Sequence, residues 1–429
     1  MEFNHTRICE LLVGLPEVHV IGGEEQPGGG LVVLIESVLP EGLVCGCGSL
    51  LSVKERPVVR LVDLPAFGRP TRLWWRKHRL VCRAKCGLPS RMWTDDRIAH
   101  ARQAMTTRAG RWATVQVGRN GRTVAEVARE LGCDWHTVND TVIAYGTPLV
   151  DDPGRIGAVT ALGVDEILFV KRGEYRTQRW ATQLVDVKAG QVIDVVEGRD
   201  TTSVGAWFTK QPRTWRAAIT HATLDLSGTY RAMLDRYLAH AIQVADPFHV
   251  VRVANSALDD CRRRVQNETL GHRGRKDDPL YRSRRRLQMA SERLTVDGEQ
   301  KLLGLLKAGD PKGHVKETWH AKETVRGIYH QTDNDLATEW VDDIIRDFVD
   351  RDLPIEVRRL GRTIKKWRNQ ILAWHPTRLT NGPTEAANNL AKRIKRVAFG
   401  FRRFDHFRIR TLLYTGKPNW QLLDTINPA

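Results

Sequence analysis

The sequence predicts a multidomain chain of α+β and α/β type: a β-rich N-terminal module, a helical pair, and a mixed core split by an all-helical insertion. Three observations carry that expectation. Two close cysteine pairs, Cys45/Cys47 and Cys82/Cys86, bracket a basic stretch in which apolar and charged residues alternate. A helix-period pattern breaks at Gly132 and resumes at Val138. Beyond residue 160, strand-like and helical runs alternate, and strand signals then vanish between Val251 and about Trp374.

Net charge sets the class of partner. With 67 lysines and arginines against 50 aspartates and glutamates, the 429-residue chain carries +17, a surplus that favours a polyanion. Its 41% hydrophobic content supports a buried core and excludes wholesale disorder. No run of 18 apolar residues occurs, and the first residues, MEFNHTRICE, lack an apolar signal core, so neither a membrane partner nor export is expected. Seven cysteines, an odd count, fit a reducing cytoplasmic setting and metal binding better than a disulfide framework.

Residues 1–90 read as the β-rich module, with a strand at Leu31–Val38 entered through Gly28–Gly30 and a half-exposed strand pattern in RLWWRKHRLVCRAKC. Residues 91–150 read as a helix-turn-helix. There Val124, Val127, Ala128 and Leu131 share one face, Gly132 turns the chain, and a second helix runs from about Trp135 to Ala144 with Val138, Val142 and Ile143 inward. The segment GTPLVDDPGRIGAVT, rich in proline and glycine, is expected to be an irregular linker.

Residues 158–250 give three strands, then helix, strand, helix, strand: ALGVDEILFV, RWATQLVDV, QVIDVVEG, SVGAWFTK, AITHATLDL, GTYRAMLDRYLA and AIQVADPF. That order suggests the first part of a ribonuclease-H-like core. A doubly wound nucleotide-binding sheet would need a helix after nearly every strand and a glycine-rich first turn, whereas the turns here are KRGEYRT and DVKAGQ. Residues 251–375 form the helical insertion, and residues 376–429 complete the core. In the latter, Ala387, Leu390, Ile394 and Val397 are spaced for one apolar face, with Lys392, Arg393, Lys395 and Arg396 around the rest.

Chemistry is expected at acidic strand ends. Asp165 sits within the first strand of the sheet and Asp225 ends the fourth, where a ribonuclease-H-like sheet brings the two together; Glu385 opens the final helix. Three carboxylates can hold two hard divalent cations, the arrangement that activates water or a 3′-hydroxyl and stabilises the leaving oxygen of a phosphodiester. Asp246 and Asp200 are rival carboxylates that the residues alone do not separate from these.

Three ordered blocks resemble bacterial insertion-sequence transposases of the ISL-three family. They are GVDEILFVKRGEYRTQRWATQLVDVKAGQVIDVVEGRD, DPFHVVRVANSALDDCRRR and TNGPTEAANNLAKRIKRVAFGFRRFDHFRIRTLL, and the resemblance extends over nearly the whole chain. It implies a DDE triad on a ribonuclease-H-like fold, with Asp165 first, Asp225 second and Glu385 third, and Mg2+ or Mn2+ as the catalytic metal. Asp246 is the competing second acid. His249 and Asn388 or Asn389 lie in the matching blocks, either near the site or in capping and core roles. The implied partners are the element's terminal inverted repeats and target DNA, bound by a homodimer or higher homo-oligomer; the alternative is a DNA-binding regulator derived from a transposase.

The family also carries a zinc module at the position of Cys45, Cys47, Cys82 and Cys86. The spacing suits two knuckles around one structural zinc, although C-x-C replaces the C-x2-C first pair of the family; His78 is a possible substitute ligand, and Cys9, Cys133 and Cys261 are expected to be buried. In the second helix of the helix-turn-helix, His136, Thr137 and Asn139 are placed to reach base edges. Arg262, Arg263, Arg284, Arg285, Lys392 and Arg396 are the candidate phosphate contacts.

Overall fold

The computed structural model describes residues 5–171 and 177–428, a mixed α/β chain with three sheets. The expected first turn of the core, KRGEYRT, lies mostly outside the described residues. The chain divides into two compact units, residues 1–157 with 389–429, and residues 158–388. Among the described residues no helix is long and apolar enough to cross a membrane.

In the first unit, β1 (Val18–Glu25), β2 (Leu31–Ser37), β4 (Val58–Ala66) and β5 (Arg69–Arg76) form a sheet in the order β1-β2-β5-β4, while β3 (Leu51–Glu55), β6 (Arg79–Cys82) and β7 (Arg91–Met92) form a second. Alternation in β5 explains its place. Thr71, Leu73 and Trp75 point into the core beside Ile35 and Leu61, and Arg72, Trp74 and Arg76 lie on the other face. The Trp75 indole satisfies its only donor on Ser37 Oγ at 2.8 Å.

The helical pair follows. Thr123 and Glu126 make a reciprocal capping box at the start of helix Val124–Leu131. Gly132 then takes a left-handed backbone, φ 62°, and a Cβ there would come within 2.6 Å of Pro70, so glycine is required for both conformation and space. Asp134 caps the second helix, which runs from Trp135 to Val150 and so extends beyond the expected end at Ala144. The linker correspondingly starts at Asp151. Leu149 and Val150 are buried, and that packing holds the last turn helical despite Pro148. Helix Phe404–Thr415 packs on this helix, where Gly146 lets Leu413 and Ile409 approach.

In the second unit, β8 (Ala161–Val170), β9 (Arg179–Asp186), β10 (Gln191–Glu197), β11 (His221–Leu224) and β12 (Ile242–Ala245) form one sheet in the order β10-β9-β8-β11-β12. The first three strands pair antiparallel, and β8, β11 and β12 pair parallel. Helices Thr201–Lys210, Arg213–Ala218 and Gly228–Tyr237 make the connections; the second of these was not expected. From Pro247–Leu270 to Trp374–Thr377 the described chain is helical, around a core that includes Leu258, Cys261, Leu306 and Trp319. A buried lysine serves this bundle: Lys322 donates to the carbonyls of Leu287 (2.9 Å) and Met289 (2.7 Å), and burial lowers its pKa.

Candidate active site

The central pair of parallel strands sets the site. Val164 of β8 pairs with Leu224 of β11, so the residues that follow, Asp165 and Asp225, come side by side. Burial, together with the charge of Asp225, pushes the Asp165 carboxyl up to about 6, against an opposing hydrogen bond from the Glu166 N–H to Oδ1 at 2.7 Å. Burial raises Asp225 too, and its Oδ1 is enclosed without a hydrogen-bond partner. Two crowded carboxylates with an unpaired buried oxygen are costly on their own and are suited to a divalent cation.

The third acid arrives on helix Gly382–Val397. Glu385 Oε1 lies 3.1 Å from His249 Nε2, and His249 is buried in the first turn of helix Pro247–Leu270. Three residues further along the Glu385 helix, Asn388 donates from Nδ2 to Asp165 Oδ2 at 2.5 Å and to the Glu166 carbonyl at 3.3 Å. The helix carrying the third carboxylate therefore also positions the first.

Asp246 belongs to the same neighbourhood but is differently engaged. One ligand atom from each of Asp246, His249 and Glu385 lies within 4.8 Å of the others. Yet Asp246 is buried at the start of its helix, and its Oδ1 accepts the Asn381 N–H at 2.9 Å, which ties down the loop before Glu385. Asp200 is a helix cap, accepting the N–H groups of Thr202 (2.9 Å) and Ser203 (2.8 Å).

Sequence reading passed over Gly163, Asn381 and Thr384. A Cβ at Gly163 would stand 2.1 Å from Thr384 Oγ1, and Thr223 Oγ1 donates to Asn381 Oδ1 at 3.1 Å, so a strand glycine lets the Glu385 loop rest on β8 and β11. Glycine inside the strand pattern ALGVDE was the available signal, since such a glycine marks close backbone approach.

A family model for DDE transposases of the ISL-three type, described as transposase, matches residues 162–411, more than half of the chain. The chain belongs to that family. It is also similar to the transposase for insertion sequence element IS1557 of Mycobacterium tuberculosis, 27% identical over 291 residues, covering 62% of this chain and 63% of the relative. The match thus spans less than two thirds of that relative's length. The transposase for insertion sequence element IS1001 of Bordetella parapertussis is 26% identical over 407 residues, 90% of this chain and 92% of the relative.

Elsewhere in the chain, the four cysteines cluster, their sulfurs all within 4.8 Å of one another. Cys45 and Cys86 are separated by 3.7 Å and Cys47 and Cys82 by 3.5 Å. A tight turn makes the C-x-C spacing workable: Cys45 N–H bonds the Ser49 carbonyl at 2.7 Å, and Gly48 adopts φ 83°. The backbone N–H of Cys86 is the main influence drawing the Cys82 thiol down to about 6. His78 is engaged elsewhere, with Nε2 3.0 Å from the Ser37 carbonyl. Cys261 is buried as expected, but Cys9 is exposed and Cys133 only half-buried.

The candidate DNA contacts divide by exposure. His136 faces solvent, but Thr137 is spent on the helix cap, its N–H 2.9 Å from Asp134 Oδ1 and its hydroxyl 2.6 Å from Oδ2. Asn139 is 3% exposed, its amide held by Asp140 at 3.1 Å, and so does not project as a base reader would. Arg262 is 5% exposed and paired to Asp259 at 2.6 Å, a packing role in place of phosphate contact. Arg284 lies half-buried over the Tyr281 ring, whereas Arg263, Arg285, Lys392 and Arg396 are exposed. On the last of these helices Ala391 joins Ala387 and Ile394 inward, and Leu390 turns out.

Proposed function

We propose that the chain binds the terminal inverted repeats of an insertion sequence, cuts DNA there and joins the freed ends to target DNA. The reading rests on one observation above the rest: Asp165 and Asp225 are adjacent on parallel strands and half-buried, with Asp225 Oδ1 left unpaired, and Glu385 is held by His249. The sheet order β10-β9-β8-β11-β12, antiparallel and then parallel, supports a ribonuclease-H-like core, with the helical run from Val251 as an insertion.

Asp165, Asp225 and Glu385 would hold magnesium or manganese, which when bound supplies Lewis acidity to the attacking and leaving oxygens. The chain's own residues set up that chemistry. Asn388 fixes Asp165 Oδ2, leaving Oδ1 turned toward the Glu166 amide; His249 holds one oxygen of Glu385 and leaves the other free. Asp225 is assigned ahead of Asp246 because its Oδ1 is uncommitted, while Asp246 anchors the Asn381 loop. Water attacks the phosphorus at the element's end and a 3′-hydroxyl leaves; that hydroxyl then attacks a target phosphodiester, releasing another in turn.

Zinc suits the four thiols: a tetrahedron with Zn–S bonds of about 2.3 Å has S–S edges of about 3.8 Å, close to the observed separations. The helix-turn-helix, led by His136, and the exposed Arg263, Arg285, Lys392 and Arg396 would bind DNA. Joining two ends calls for at least a homodimer. The test uses supercoiled DNA carrying the element ends, with magnesium or EDTA, comparing wild type, Asp165→Ala and Glu385→Ala. Metal-dependent cutting and joining by wild type alone, with both variants still bound, is the expected result. Binding without cutting by wild type would leave a regulator.

A further inference from the structure

Next to the start of the second helix of the helix-turn-helix lies a cavity of about 700 Å³, within the first unit, that the reaction above does not use. Trp135, His136 and Asp140 form one side, and the turn Phe399–Arg403 with His406 and Arg410 the other. Its composition is unusual. Arg410 is 3% exposed, yet its Nε and Nη2 are buried without hydrogen-bond partners, and burial draws the guanidinium down to about 10. A desolvated cation with idle donors is expensive to keep and is matched by an anion that can take bidentate hydrogen bonds.

The rim is aromatic. Phe399 is 97% exposed, on a left-handed backbone of φ 53° that is uncommon for an aromatic residue, and Trp135 is 44% exposed across the cavity. Phe401 lies 5.3 Å from the Arg410 guanidinium and backs it. Of the two carboxylates nearby, Asp405 is paired with Arg403 at 2.6 Å, and Asp140 accepts from Asn139 at 3.1 Å with capacity left for an exocyclic amine. Exposed rings, a buried unpaired guanidinium and an acceptor within one cavity fit a base joined to a phosphate.

We propose that this cavity receives a nucleotide extruded from the bound duplex, its base against Phe399 and Trp135 and its phosphate on Arg410. The inference rests on the reading that the chain binds DNA at the element's ends. It goes further in assigning a base-extrusion step to the face that carries the helix-turn-helix. Extrusion costs unpairing energy, and a base that is already mispaired spares that cost.

The test is a binding scan of the terminal repeat in which each base pair is replaced in turn by a mismatch, read by fluorescence anisotropy. Wild type is expected to bind about tenfold more tightly when the mismatch falls at the extruded position, and more weakly or unchanged elsewhere. Phe399→Ala, at a side chain that packs on nothing, loses that preference. Arg410→Met weakens binding but raises the melting temperature of the free protein, because the idle buried charge is gone; a lowered melting temperature would make Arg410 structural and overturn its phosphate role. If the matched repeat is bound and no mismatch position tightens, extrusion is wrong while DNA binding stands. If the matched repeat is not bound at all, the DNA-binding reading fails and this inference with it.

Discussion

The acids around Asp165 and the thiols around Cys82 are both candidate ligand sets, but the chain holds them in different ways. Asp165 and Asp225 are carried by paired strands in the middle of a five-stranded sheet, whose register is set by buried side chains and not by the acids. Cys82 ends the short strand β6 and the other three thiols sit on turns beside it, with Cys45 facing Cys86 and Cys47 facing Cys82. A metal at the sheet would add chemistry to a scaffold that already stands. A metal at the thiols would be part of the scaffold.

The largest effect follows from the first half of that contrast. Asp165→Asn keeps a hydrogen-bonding partner for Asn388 but removes a metal-binding charge, so strand cutting should fall by at least about 10³-fold while the fold is retained. Magnesium should raise the melting temperature of wild type and leave that of the variant unchanged. Thermal unfolding with and without magnesium, beside a cleavage assay, checks both parts. A variant that unfolds would mean that the acids do hold the sheet together.

The second half makes the opposite demand. Cys82→Ser should lower zinc content from about one ion per chain to near zero and unfold the β3-β6-β7 module, seen as new protease sensitivity between residues 43 and 92, with the second unit intact. Atomic absorption and limited proteolysis read this directly. Full protection in the zinc-free variant would remove the contrast.

How far each set was legible follows from how it is held. The strands around Asp165 and Asp225 are written in near-continuous apolar runs such as ALGVDEILFV, so the acids could be placed on the sheet, and the resemblance then chose among carboxylates of equal standing. The partner of Asp165 was harder. Asn388 lies 223 residues away, and nothing in helix periodicity states which asparagine will meet which acid. The helical pair was legible as elements, from its apolar spacing and Gly132, but not in its exposed face: Thr137 and Asn139 look like base readers, and only tertiary packing turns one into a cap partner and buries the other. Pro148 likewise signalled a break that Leu149 and Val150 override.

A smaller effect tests the junction between acids and sheet. Gly163→Ala forces a methyl group against Thr384 Oγ1 at 2.1 Å and Val187 at 2.9 Å, which should cost about 1–3 kcal/mol and shift the Glu385 loop. Denaturant unfolding of the variant measures the cost. Cutting should fall by more than stability alone explains, because displacement of the loop moves Glu385 away from Asp165 and Asp225.

The smallest effects separate two neighbours on one helix. Asn139→Ala removes a buried amide and its hydrogen bond to Asp140, a loss of about 1 kcal/mol in stability. His136→Ala alters an exposed ring and should leave stability within about 0.5 kcal/mol while weakening DNA binding, the outcome expected if that solvent-facing ring is a DNA contact. Denaturant melts and anisotropy titrations of the pair therefore give opposite patterns, stability lost in one and affinity in the other. If Asn139→Ala lost only affinity, the helix would have to rotate or open on DNA to present a residue that the free protein keeps inside.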